Sequence, residues 1–116
     1  MAITEAFAGT EAVATTEWSI TTDTSYDTGD AQTADGIYQV WLDVNDMVAG
    51  DQLQIRLYEK VGSASTQRVT DEFILVGAQA TPAWVSVTLI LLHGWDITLD
   101  AIAGTITVDW SIRKVA

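Results

Sequence analysis

Cysteine is absent from these 116 residues, histidine and proline occur once each, and lysine and arginine together number five. Without cysteine the chain has no disulfide framework, no thiolate nucleophile and no zinc–thiolate site. A lone His93 removes most histidine-based catalysis and metal binding. The five cations face 16 aspartates and glutamates, so the net charge is 5 − 16 = −11. That balance excludes nucleic acid as the main partner, since phosphate binding needs a basic footprint, and it disfavours an anionic membrane surface. Long apolar runs are missing too. The longest is Leu89-Ile90-Leu91-Leu92, against about 20 residues for a spanning helix. Met1-Ala2-Ile3-Thr4-Glu5 has neither a basic n-region nor an apolar h-region, so the expectation is a soluble chain without a signal peptide.

What is present is a hydrophobic content of 48% arranged with a period of two. That content argues against disorder, and the length suits one domain. Residues 1–16 are rich in Ala, Thr and Glu, with Ile3 and Phe7 as the large apolar side chains. They read as an N-terminal arm, in which Gly9 and the threonines weaken a short helix over Thr4 to Ala14. From residue 17 to 116 short alternating runs are divided by Gly, Asp, Asn and Pro, the pattern of strands and turns.

The first run, Glu17 to Thr22, puts Trp18 and Ile20 on one face. Asp23 to Gly36 has the composition of a loop. Gly36 to Val44 places Tyr38, Val40 and Leu42 together, and Gln52 to Val61 does the same for Leu53, Ile55 and Leu57. Gln67 to Val76 follows, with Val69, Phe73 and Leu75 on one face. Ala83 to Leu92 is apolar on both faces, as in a strand covered on both sides, and is expected centrally or under a partner. Trp95 to Leu99 is short. Thr105 to Lys114 alternates cleanly through Ile106, Val108, Trp110 and Ile112. Seven or eight short strands and no helical stripe predict an all-β antiparallel sandwich.

The chemistry-bearing residues give no catalytic pattern. His93 lies at a predicted strand end, and there is no nucleophile elbow, P-loop or dinucleotide fingerprint. Acid pairs such as Glu17 with Asp23, or Asp71 with Glu72, read as solvated surface. Asp23, Asp27, Asp30 and Asp35 supply hard oxygens that calcium prefers, but their spacing is not that of an EF-hand. No cofactor or metal is expected, and the chain is not expected to be an enzyme. Among five tryptophans, Trp18, Trp84, Trp95 and Trp110 lie beside apolar neighbours and read as core or interface. Trp41 shares its face with Gln39 and Asp43, which makes it the best candidate for an exposed ring or a subunit contact.

The segments 49–61 (AGDQLQIRLYEKV), Thr66-Gln67-Arg68, Gly77-Ala78-Gln79, 94–99 (GWDITL), Ala103-Gly104-Thr105 and Trp110-Ser111-Ile112-Arg113 together resemble small virion structural proteins of tailed bacteriophages. The resemblance covers residues 36–115 and excludes the leader. It implies a jelly-roll-like β-sandwich that works by assembly in the virion and carries over no catalytic residue. The implied role is a capsid decoration, or cement, protein that binds and stabilises the assembled head. The implied partners are further copies of itself, a trimer being favoured, and the major capsid protein lattice, with Ile3 and Phe7 anchoring the arm. The alternative is a tail-associated or receptor-binding module that recognises host glycan through Trp41.

Overall fold

The computed structural model describes residues 2–27 and 31–115. Its strands are β1 (Ile3–Val13), β2 (Trp18–Ser19), β3 (Thr24–Ser25), β4 (Gly36–Asp43), β5 (Gln52–Glu59), β6 (Arg68–Val76), β7 (Ala83–Val85), β8 (Leu89–Leu91), β9 (Asp96–Ala103) and β10 (Ile106–Val115). All pairings are antiparallel. Sheet A runs β1-β10-β4, with β7 and β8 both on the far side of β4, and sheet B runs β3-β2-β9-β5-β6.

Ten strands stand where seven or eight were expected, because one expected strand is split, the expected arm forms β1, and the short β3 lies in the stretch read as a loop. β7 and β8 are halves of the run Ala83 to Leu92, interrupted at Ser86, whose hydroxyl accepts the Val40 N–H at 3.0 Å and donates to the Val87 carbonyl at 2.7 Å. β3 is a two-residue addition to β2. With these grouped, β1-β10-β4-β7/β8 faces β2-β9-β5-β6, and the chain passes between layers in the order of a jelly roll. No helix long and apolar enough to cross a membrane occurs among the described residues.

The core is the inward half of the alternation. Tyr38, Val40 and Leu42 of β4, Leu53 and Ile55 of β5, and Ile106, Val108, Trp110 and Ile112 of β10 are all buried, as their period required. Ile20, Ile97, Leu99 and Trp95 complete it from sheet B and its flanks. Trp95 meets Tyr38 at 4.7 Å and the edge of Phe7 at 6.0 Å. Its indole N–H donates to the Ala34 carbonyl at 3.1 Å, so the polar atom of this large buried side chain is satisfied.

Two segments depart from the sequence reading. Most of the expected arm, residues 1–16, is β1, which pairs with β10 from Ile3↔Val115 to Val13↔Ile106 with a bulge between Glu5 and Phe7. The strand forms because β10 offers it a full ladder and because Phe7 and Val13 turn inward onto the core. Gly9 leaves space for the Trp110 indole there: a Cβ at Gly9 would stand 2.6 Å from that ring. The second is the run Ala83 to Leu92, expected centrally or under a partner: it is not central but lies at the edge of sheet A, where Val87, Ile90 and Leu92 are exposed.

Candidate assembly surfaces

Apolar side chains on the outside of the sandwich are concentrated at one edge. Among the described residues, the twelve exposed large hydrophobic ones include Val61, Val69, Ile74, Val76, Val85, Val87, Ile90 and Leu92. These eight lie on β6, on β7 and β8, or on the turns beside them. The strands stack there, as the Phe73 and Trp84 rings, 5.4 Å apart, indicate. Both layers also end at this edge, since β6 pairs with β5 alone and β7 and β8 with β4 alone. Between them Leu57, Val61, Asp71, Thr88 and Ile90 line a shallow depression of about 370 Å³. Ile90 is 81% exposed. Ile74 and Val76 face outward from sheet B, Val85 and Ile90 from sheet A, and exposed apolar side chains gathered on edge strands mark a candidate interaction site.

The outer face of sheet A is ordered in rows, because directly paired residues share a face. One row is Ile3, Val115, Ile37 and Ile90 across four strands. The next is Glu5, Arg113 and Gln39. Then come Ala8, Ser111, Trp41 and Val85, followed by Thr10, Asp109, Asp43 and Ala83. The Trp41 indole N–H donates to the Gln39 side-chain oxygen at 3.1 Å, and the Arg113 guanidinium covers its ring at 4.0 Å from the centroid. Trp41, Asp43, Pro82, Asp109, Ser111 and Arg113 contribute to the lining of a shallow groove of about 400 Å³.

Of the residues singled out in the sequence, Ile3 and Trp41 therefore share this outer face. Ile3 is 67% exposed at its end. Phe7 lies on the opposite side of the same sheet, packed against the core.

The outer face of sheet B is polar and largely covered. The Glu17 carboxylate accepts the Tyr58 hydroxyl at 2.6 Å and the Thr98 hydroxyl at 2.5 Å, with Arg56 at 3.5 Å. Arg56 also reaches Glu72 at 3.0 Å and Asp100 at 4.0 Å. Tyr26 stacks on Tyr58 at 4.5 Å. Burial, then the bond to Glu17, pushes the Tyr58 phenol above its ordinary range. Burial also raises Asp100, with Arg56 opposing it and Glu17 and Glu72 adding to it. Further along β9, Asp96 takes the hydroxyls of Ser19 at 2.9 Å and Thr21 at 2.7 Å. Sequence reasoning missed this network. Its members lie up to 81 residues apart, and of these acids the sequence offers Glu17 and Glu72 only as surface charge.

The acid pairs do not converge. Glu17 is engaged as described, while Asp23 accepts the Trp18 indole N–H at 3.2 Å. Asp71 and Glu72 are successive residues of β6 and point to opposite faces. His93 is held through its backbone N–H, which donates to Glu59 at 3.0 Å. Of the aspartates considered for calcium, Asp30 lies outside the described residues. No three acidic or histidine side chains converge on a metal position among the described residues.

The fold and its surfaces thus define an all-β, jelly-roll module with one apolar edge and one ordered sheet face. No family model matches the chain, and no curated protein is significantly similar to it.

Proposed function

We propose that this chain is a virion structural protein of a tailed bacteriophage, of the capsid decoration type, which docks on the assembled head and reinforces it. The observation that carries the reading is the apolar edge formed by β6, β7 and β8. Among the described residues, eight of the twelve exposed large hydrophobic side chains lie on these strands or the turns beside them. Burying such an edge on a shell would remove apolar area at roughly 25 cal/mol per Å². The charge of −11 keeps the free protein soluble before docking. Support also comes from the resemblance of residues 36–115 to phage virion proteins.

The test is co-sedimentation with heads of the phage that encodes this sequence. The wild-type chain should pellet with heads, and a Val87→Asp/Ile90→Asp double variant should stay in the supernatant while melting normally. Undiminished pelleting of the double variant, or no pelleting of the wild type, would overturn the reading.

The second reading, a tail-associated module for host glycan, rests on the groove beside Trp41. The Arg113 guanidinium already covers one face of that ring, which leaves the other face for a sugar. Glycan-array binding that disappears in Trp41→Ala would favour it over head docking.

A further inference from the structure

We infer that the outer face of sheet A is a contact between two copies of this chain, related by a two-fold axis through the Ser111–Trp41 row. The inference does not depend on the head-docking reading, although Val85 and Ile90 border both surfaces.

It rests on how charge is laid out on that face. The Ser111–Trp41 pair is flanked on one side by Arg113 and Gln39, and on the other by Asp109 and Asp43. Asp109 and Asp43 are both exposed and directly opposite each other, an arrangement that destabilises an isolated sheet. Arg113 is also exposed. Among the described residues the ion pairs all centre on Arg56; Arg113 lies over Trp41 and donates to the Ser111 hydroxyl at 3.4 Å, and Asp43 accepts the Asn45 N–H at 3.0 Å, but neither Arg113 nor the aspartate pair meets an opposite charge within the chain. Glu5 lies across β1 from Arg113, but its carboxylate accepts the Ser111 hydroxyl at 2.5 Å.

Spacing explains why one copy cannot solve this alone. Two residues along a strand span about 7 Å, so Arg113 and Asp109 are about 14 Å apart on β10. They are, however, equidistant from the Ser111–Trp41 row. A two-fold axis lying along that row stacks β10 on its copy in the reverse direction. Arg113 of each copy then falls over Asp109 of the other, with Asp43 beside it, and the two Trp41 rings meet at the centre. The contact is isologous: one patch serves both copies. It places two symmetric charge pairs around a central aromatic residue, with the groove of about 400 Å³ beside Trp41 to receive side chains. Elsewhere a second copy meets an acidic surface like its own.

Sedimentation equilibrium of the full chain at tens of micromolar tests this. The wild type should be dimeric. Arg113→Asp and Asp109→Arg, each alone, should weaken the dimer about tenfold or more, and the double swap should restore it. Asp109→Arg also removes the opposed aspartates, so its melting temperature should not fall and loss of the dimer would not reflect misfolding. A monomeric wild type, a closed trimer indifferent to both single swaps, or a double swap no stronger than the single variants would each overturn the inference.

Discussion

The Tyr58 hydroxyl donates to the Glu17 carboxylate at 2.6 Å, joining residues 41 positions apart. The bond pins the connection between β1 and β2 against the C-terminal end of β5. Tyr58 is buried and Glu17 half-buried, and Thr98 and Arg56 complete the carboxylate's shell. A hydrogen bond to a charged partner contributes about 1.5–3 kcal/mol. Tyr58→Phe should therefore lower stability by about that amount, read as a drop in melting temperature by circular dichroism. An unchanged transition would show that the bond contributes nothing net.

Asp100 gives a pH dependence of opposite sense to a typical paired carboxylate. Burial raises its pKa in the folded chain, so the fold holds this proton more firmly than the unfolded chain does. The stability it contributes is fully present below the ordinary aspartate pKa and is lost as pH rises through the raised value. Asp100→Asn should melt higher than the wild type at neutral pH. The advantage should shrink as pH falls into the ordinary aspartate range. A lower melting temperature for Asp100→Asn at pH 7 would contradict this.

Gly9 is required for space rather than for backbone freedom. An added Cβ would stand 2.6 Å from Cζ2 and 2.9 Å from Cε2 of the buried Trp110. Gly9→Ala must move that indole, and overpacking of this kind costs about 1–3 kcal/mol. The checks are a denaturant titration and the tryptophan emission spectrum. A stabilised variant with unchanged emission would sink the packing argument.

Removing residues 1–13 should abolish cooperative unfolding rather than yield an intact sandwich without its arm. The deletion takes a whole strand from β10 and removes Val13 and Phe7 from the core. The measurement is amide dispersion and thermal melting of the truncated chain. A sharp, native-like melt would restore the idea of a detachable leader.

The sequence made the sandwich legible wherever one face of a strand meets the core. In β4, β5 and β10 the period-two pattern named the inward residues correctly, from Tyr38 to Ile112. β1 was hidden because Ala, Thr and Glu give no such period. Its strand character comes from the ladder of β10, a long-range pairing that local composition does not encode. For Ala83 to Leu92, apolar residues on both faces allowed either a central place or cover by a partner, and the pairing with β4 alone removes the central one. The charge arrangement around Trp41 needed the register of β4 against β10 before it had any meaning. The bonds from Glu17 likewise depended on tertiary geometry.

Ser86 divides the outermost ribbon of sheet A into two pieces of three residues each. A foreign backbone arriving along that border meets no unbroken row of donors and acceptors to copy, so templated growth into a thread is blocked there. Neighbours on that side must fit by the shapes of their side chains, which favours assemblies of fixed size over open-ended fibres.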